Sequence, residues 1–183
     1  MVPSPDHLFR SVFDDVNMLR RTALSLLLAC LAASPAAAQH TIFLVRHAER
    51  ADTTPGTSPT MAADPDLSEA GRVRAESLAI VLKDAKITSI YATKYKRTQQ
   101  TAAPLAKALG LTVSIAPADA ADVVKQLAGA KGNVLVVGHS NTVPDVIKGL
   151  GVTAPVMIGD DEFDNLFVVT TGAPPSVVRL HYR

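Results

Sequence analysis

Two patterns of apolar residues alternate along the chain from residue 39 onward. Short unbroken apolar runs, as at residues 41–45 (TIFLV) and 133–137 (NVLVV), are typical of strands buried on both faces of a sheet. Between them, apolar residues recur at helical spacing. In residues 67–85 these include Ala75, Leu78 and Leu82, and Ser68 is placed to cap the helix at its start.

The remaining segments continue this alternation. Residues 51–65 are rich in Thr, Pro, Asp and Gly and predict a loop. Further strands are predicted at residues 87–92, 112–115, 166–171 and 177–181, the last two as a hairpin, and further helices at 95–109, 120–130 and 142–150. Such alternation predicts one α/β domain, a three-layer sandwich with a mainly parallel sheet and helices on both faces.

Residues 18–38 have the three parts of a secretory signal peptide. Arg20 and Arg21 form a basic start, an apolar run covers residues 22–33, and small residues end the segment at Ala36 and Ala38. The run is too short for a permanent bilayer span, which needs about 20 residues. We expect cleavage near Ala38, which leaves a domain at 39–183 in the periplasm or outside the cell. Residues 1–17 form an N-terminal extension that translation from Met18 would omit.

Cys30 offers an alternative to cleavage near Ala38, because Leu27-Leu28-Ala29-Cys30 loosely resembles a lipoprotein processing site. The apolar run before Cys30 would then be very short, which favours the signal-peptide interpretation. Cys30 is the only cysteine, so an intrachain disulfide and a thiolate metal cluster are both excluded.

Composition narrows the function classes further. The 183 residues are 48% hydrophobic, which suits a single aliphatic core. A net charge of +1 with 4% aromatic residues provides neither a basic stripe nor a stacking platform, so a nucleic-acid partner is not expected.

Two histidines follow predicted strands at equivalent positions. His47 follows the strand at 41–45 through Arg46, and His139 follows the strand at 133–137 through Gly138. Ligands bind beyond the carboxyl ends of parallel strands, so both imidazoles are expected in one crevice, and Arg97 follows the strand at 87–92 toward the same edge. A zinc site on the two histidines lacks a close His-x-x-x-His or Cys pattern and is not favoured.

Four ordered motifs resemble those of the histidine phosphatase superfamily, branch 1, which has the phosphoglycerate-mutase-like fold. They are LVRHAE at 44–49, DLSEAG at 66–71, RTQQTA at 97–102 and VGHS at 137–140. The resemblance covers essentially all of residues 39–183, and the short form is similar to the compact bacterial phosphohistidine phosphatases.

The resemblance implies that His47 attacks phosphorus and forms a phosphohistidine that water hydrolyses, while Arg46, Arg97 and His139 hold the phosphoryl oxygens. It implies a metal-independent hydrolase without a cofactor, acting on phosphomonoesters or phosphoramidates of small molecules or phosphoproteins. The chemistry of arginine fits these roles, since a guanidinium group is permanently charged and can donate two parallel hydrogen bonds to phosphoryl oxygens. Neighbouring arginines also disfavour protonation of His47.

Other site residues are less clear from the resemblance. The asparagine that the family often carries after the first histidine is missing, and Thr53 is the candidate replacement. Ser140 is a candidate cap of the following helix and a candidate substrate contact. For the general acid the candidates are Asp119, which equally suits a helix N-cap, and Glu162 in the acidic cluster at 161–164.

Two other functions stay open. A mutase of the phosphoglycerate type is disfavoured by the missing insertion after Arg97 and by the export signal. A catalytically silent phosphate-binding module remains an alternative because the general acid is not assigned.

Overall fold

A computed structural model of the chain describes residues 40–51 and 64–183. Within them the strands are β1 Thr41–Arg46, β2 Ile87–Ala92, β3 Val113–Ile115, β4 Asn133–Gly138, β5 Asn165–Thr170 and β6 Ser176–His181. The helices are α1 Glu69–Leu82, α2 Lys96–Leu109, α3 Ala120–Ala128 and α4 Thr142–Gly149. The predicted signal peptide, Cys30 and Thr53 lie outside the described residues.

The predicted elements are confirmed in order and type. Ser68 caps α1, its hydroxyl accepting a hydrogen bond from the amide of Gly71 at 3.1 Å. α2 ends at Gly110, whose φ of 66° is the left-handed conformation that glycine adopts without strain. None of the helices in the described ranges is long and apolar enough to cross a membrane.

The strands form one six-stranded sheet in the order β3-β2-β4-β1-β5-β6. β3, β2, β4 and β1 run parallel, while β5 pairs antiparallel with β1 and with β6. The mainly parallel sheet and the closing hairpin are therefore as predicted.

Helices cover both faces of the sheet, which confirms the three-layer sandwich. α1 and α2 pack on one face, where Leu78 and Leu105 meet Val45 and Val137 of the central strands. On the other face, side chains of α3 and α4 such as Leu127 pack against Ile42 and neighbouring strand residues. Alternate residues of β1 thus serve opposite cores, as expected for a strand buried on both faces.

This topology brings the candidate residues to one rim. β1, β4 and β2 are adjacent and parallel, with Arg46 level with Gly138 and Ala92 level with Val137. The amide of His47 donates to the carbonyl of Gly138 at 2.9 Å, which ties the ends of β1 and β4 together.

Candidate active site

The four residues implicated by the motifs line a single open pocket of about 970 Å³ at the carboxyl ends of the parallel strands. Arg46 and His47 come from the end of β1, Arg97 from the first turn of α2, and His139 from the loop after β4. The two imidazole rings meet edge to face with centroids 5.3 Å apart. The crevice expected from the sequence therefore exists, and it contains two guanidinium groups and two imidazoles.

His47 is held as a neutral imidazole with a defined proton. Its side chain is only 5% exposed, and Nδ1 lies 2.8 Å from the carbonyl oxygen of Ala48. Because a carbonyl can only accept, Nδ1 carries the proton and Nε2 keeps its lone pair. Burial is the largest cause that lowers the pKa of His47 to about 3, and the nearby His139, Arg97 and Arg46 add to it.

The backbone around His47 is anchored to α2. The amide of Ala48 donates to the hydroxyl of Thr101 at 3.0 Å, and that hydroxyl donates to the carbonyl of Arg97 at 2.7 Å. Thr101 is fully buried. The Thr101 side chain therefore links the backbone next to His47 to the backbone at Arg97. This link fixes the distance between the LVRHAE and RTQQTA motifs.

Glu49 anchors the backbone that follows His47 to α1. Its carboxylate pairs with the guanidinium of Arg74 in α1 at 2.6 Å, and Arg74 also donates to the carbonyl of Tyr182 at 3.3 Å. The hydrogen bond to the Glu49 carboxylate raises the pKa of Arg74. Glu49, although part of the first motif, thus has a structural role and does not line the pocket.

Arg46 binds the turn that follows α4. Its Nη1 donates to the carbonyl oxygens of Gly159 and Asp160, both at 2.8 Å, and to that of Glu162 at 3.3 Å. Its guanidinium lies 4.1 Å from the centre of the Phe163 ring, a cation–π distance. Burial lowers the pKa of Arg46, but the guanidinium group stays charged at neutral pH.

Arg97 is buried to the same degree as His47, with 5% exposed. Its guanidinium lies 4.4 Å from the centre of the Tyr95 ring, and its Nη1 is 3.6 Å from the carboxylate of Asp64. The aromatic ring restricts the orientation of the planar guanidinium next to the two histidines.

His139 is also neutral at pH 7. Burial, then Arg97 and Arg46, lower its pKa to about 4. Its Nε2 lies 3.0 Å from the hydroxyl of Thr93, which directly follows β2. The ring of Tyr95 packs edge to face against it at 5.3 Å.

The predicted cap at Ser140 is wrong. α4 starts at Thr142 after an N-cap residue, Asn141, that makes no side-chain cap bond. The hydroxyl of Thr142 instead accepts from the amide of His139 at 2.8 Å. Ser140 does line the pocket, so its candidacy as a substrate contact stays a prediction.

The structure gives the two candidate acids other roles. The carboxylate of Asp119 accepts from the amide of Ala121 at 2.7 Å and caps α3, as one of the two alternatives for this residue predicted. The carboxylate of Glu162 accepts from the amide of Gly159 at 2.7 Å and from Arg179 at 2.8 Å. Neither residue lines the pocket.

Two other carboxylates line the pocket instead, on Asp160 and Asp161. They occupy the centre of a turn closed by the bond from the amide of Glu162 to the carbonyl of Gly159 at 3.2 Å. Sequence reasoning noticed Asp161 only as part of an acidic cluster and missed Asp160. The Gly-Asp-Asp sequence does signal a turn, but no local signal connects that turn to Arg46.

Arg50 is a second residue that the sequence did not single out. It is 9% exposed, pairs with Leu67 in an isolated β-bridge, and lines the pocket near Arg46. It adds a third guanidinium to the site. As the residue before a Thr- and Pro-rich loop, it looked like part of that loop.

The alternative of a zinc site gains no ligands from the fold. Among the described residues, no three His, Cys, Asp or Glu side chains are grouped as a metal ion would need.

Comparison with known proteins supports the family resemblance. Residues 42–118 match the family model of the histidine phosphatase superfamily (branch 1), which confirms the resemblance over that part of the chain. The match ends before His139, which the fold itself places opposite His47. A search of curated protein sequences finds no match.

Solved structures share the fold. The protein histidine phosphatase SixA complexed with tungstate is 20% identical, with a TM-score of 0.60 over 77% of this chain and 96% of that chain. A mycobacterial glucosyl-3-phosphoglycerate phosphatase is 18% identical, with a TM-score of 0.57 over 72% of this chain and 90% of that chain. Mycobacterial hydrolase 1 is 17% identical, with a TM-score of 0.60 over 78% and 97% of the two chains. At these identities the structures show a common fold.

Proposed function

We propose that this chain is an exported, metal-independent phosphatase of the histidine phosphatase superfamily that works through a phosphohistidine on His47. One observation carries the proposal. The unprotonated Nε2 of neutral, buried His47 is available to a ligand in a pocket that Arg46, Arg97 and His139 also line. This combination offers a nucleophile and several cationic or hydrogen-bonding groups for one phosphoryl group.

The first step transfers the phosphoryl group to the enzyme. The Nε2 lone pair of His47 forms a P–N bond as the ester P–O bond breaks, and the leaving oxygen takes a proton from a general acid. Arg46 and Arg97 stabilise the charge on the equatorial oxygens. Splitting the displacement into two steps lowers each barrier.

The second step regenerates the enzyme. Water attacks phosphorus, the P–N bond breaks, and the carboxylate that gave its proton in the first step takes one from the attacking water. Inorganic phosphate leaves, and His47 returns to its neutral form with the proton on Nδ1.

We assign the general acid to the turn after α4. Among the described residues that line the pocket, Asp160 and Asp161 are the ones with carboxyl groups. Arg46 holds the backbone of this turn through the carbonyls of Gly159 and Asp160. The same guanidinium that is placed to bind the phosphoryl group therefore also positions the proton donor.

The pocket supports hydrolysis rather than mutase chemistry. Only short connections join α2, β3 and α3, so no insertion covers this side of the pocket. An open site admits water, which would remove the phosphoryl group before a second transfer. Its volume of about 970 Å³ and the wall at Ile115–Ala118 leave room for a substrate with a bulky or apolar group. Similarity in fold to a protein histidine phosphatase adds phosphoproteins to the candidates, beside small phosphate esters.

Export is proposed from the sequence of residues 18–38. N-terminal sequencing of the protein purified from the periplasm should give a start near Gln39, and a retained Met1 in exported protein would contradict cleavage.

Turnover of an aryl phosphate by the domain at 39–183 tests the activity, because an aryl leaving group needs little acid assistance. We expect activity that persists in a chelator and falls by at least about 10³-fold in His47→Ala. His181→Ala is the matched control, since His181 is half-exposed and pairs with Asp164 away from the pocket. No turnover of any phosphate ester by a folded protein that binds phosphate would favour the silent binding module, and full activity in His47→Ala would exclude His47 as the nucleophile.

A further inference from the structure

Thr93 contacts one ring nitrogen of His139, the residue that the proposed mechanism places against the phosphoryl group. Thr93 follows the last residue of β2, and its amide donates to the carbonyl of Val137 at 3.3 Å. Its hydroxyl lies 3.0 Å from Nε2 of His139 and 2.9 Å from the hydroxyl of Thr98 in the first turn of α2. The three side chains form a short hydrogen-bonded chain that leads from the helix to the pocket.

The direction of this chain can be read from its buried end. The fully buried hydroxyl of Thr98 lies 2.7 Å from the carbonyl of Tyr95 and 2.9 Å from the carbonyl of Thr93. Carbonyl oxygens only accept, so they take the single proton of Thr98. Thr98 then accepts from the Thr93 hydroxyl, which in turn has no proton left for His139. Thr93 therefore accepts from His139, and Nε2 must carry the proton.

This direction determines what His139 presents to a phosphoryl group. A neutral imidazole has one ring proton, and here it is directed to Thr93. The other ring nitrogen, Nδ1, makes no hydrogen bond within the described chain and is the nitrogen left for a ligand in the pocket that His139 lines. A bare Nδ1 lone pair repels a phosphoryl oxygen, so the contact forms only if a proton lies between the two atoms.

We propose that Thr93 is a positioning residue that holds the proton of neutral His139 on Nε2, so that each phosphoryl group that binds brings one extra proton to its contact with Nδ1. This inference rests on the proposed function. The new claim is that the productive complex contains one proton that neither the free enzyme nor the ester dianion has. Phosphate esters have a second pKa of about 6, so this proton must be taken from solution above that pH.

The charges around His139 agree with uptake on binding. The nearby rings and charges are His47 after β1, and Tyr95 and Arg97 at the start of α2. The other charged residues that line the same pocket are Arg46, Arg50, Lys94, Asp160 and Asp161. In the free site, burial and the arginines keep the ring neutral. A phosphate dianion in contact with the ring adds negative charge there and favours the protonated form.

The tautomer is measured directly by ¹⁵N NMR of histidine-labelled protein free of ligand at pH 7.5. We expect the His139 signals of a protonated Nε2 and an unprotonated Nδ1. A proton on Nδ1 would overturn the proposal. This measurement needs no catalysis, so it judges the inference even if the chain proves to be a silent binding module.

The linked proton is measured by calorimetric titration with inorganic phosphate in two buffers of different ionisation enthalpy. The wild type should take up close to one proton per phosphate at pH 8.5, where inorganic phosphate in solution is almost entirely the dianion. In Thr93→Val, the ring proton is free to move to Nδ1 and the uptake should fall toward zero, while Thr93→Ser keeps the hydroxyl and the uptake. Thr98→Val provides a second test, because it lets Thr93 donate to Nε2 and should also reduce the uptake.

The pH profile supplies the kinetic counterpart. Above pH 7, kcat/KM of the wild type and of Thr93→Ser should fall about tenfold per pH unit, because the extra proton becomes scarce. Thr93→Val should start lower and show a flatter alkaline limb. Equal uptake and equal alkaline slopes in Thr93→Val and the wild type would overturn the role of Thr93.

Discussion

The reactivity of His47 depends on which of its two ring nitrogens carries the proton. The Ala48 carbonyl at 2.8 Å fixes the proton on Nδ1, and burial with nearby cations keeps the second site unprotonated. With the pKa of His47 lowered to about 3, the free enzyme loses its nucleophile only in strong acid. Loss of activity at moderately acid pH would therefore have to arise from another group, such as the substrate or a carboxylate.

Substrates with different leaving groups test the assignment of the general acid to Asp160 or Asp161. We expect the double variant Asp160→Asn, Asp161→Asn to lose about 10²–10⁴-fold in kcat/KM on an alkyl phosphate, whose leaving oxygen needs a proton. On an aryl phosphate the same variant should change by less than about tenfold, because the leaving group is stable as an anion. The single variants then show which of the two residues supplies the proton.

Asp119→Asn is the matched control for this experiment. Asp119 caps α3 outside the pocket, and asparagine caps a helix as well as aspartate does, so both substrates should be turned over normally. Equal losses on the alkyl and aryl esters in the double variant would indicate that the turn acts only through Arg46. Unchanged rates on both esters would place the acid elsewhere.

At the scale of secondary-structure elements, the start of α1 packs directly on the backbone that follows His47. A Cβ on Gly71 would collide with the carbonyl oxygen of Glu49. The amide of Ser68 also donates to that carbonyl at 2.9 Å. The helix N-terminus and the His47 loop therefore hold each other in place.

Gly71→Ala tests this close approach. The added Cβ must displace the backbone at Glu49, and this overpacking should lower the free energy of unfolding by about 1–3 kcal/mol. Because the displaced segment adjoins His47, kcat should fall even at temperatures where the variant is fully folded. Chemical denaturation and steady-state kinetics on the same preparation provide both readouts.

Gly129→Ala is the control for a glycine without such a contact. Its Cβ would meet only the carbonyl of Gln126 at 3.6 Å, and its φ of −88° suits alanine. Stability should change by less than about 1 kcal/mol and kcat should stay the same. If Gly71→Ala behaved like Gly129→Ala, the packing of α1 would not position His47.

Local patterns were sufficient to predict most of the elements. The buried strands β1 and β4 are continuous apolar runs, and Ser68 and Gly110 mark real helix ends. The cap at Ser140 failed because α4 starts one residue later than that cap requires, at Thr142 with Asn141 in the N-cap position. The Thr142 hydroxyl, two residues after Ser140, accepts from the amide of His139, and local sequence does not predict this contact.

At the scale of the whole molecule, the pocket combines groups from segments far apart in the chain. The strand-end rule predicted that Arg46, His47 and His139 would meet, because parallel strands end at one edge. It could not predict the turn at residues 159–162, which is 113 residues from Arg46 at the first of its hydrogen bonds. Such tertiary contacts leave no periodic pattern in the sequence. The sequence therefore could not predict that Arg50 and Asp160 line the pocket, or how the hydrogen bonds run from His139 through Thr93 to Thr98.

Trapping the covalent intermediate tests the central claim most directly. The domain at 39–183 is mixed rapidly with an aryl phosphate and quenched in base, in which phosphohistidine survives, and the modified residue is identified by mass spectrometry. We predict a phosphoryl group on His47 that is lost in acid, is absent in His47→Ala and persists in His181→Ala. A phosphoryl group on another residue, or normal turnover by His47→Ala, would contradict the account.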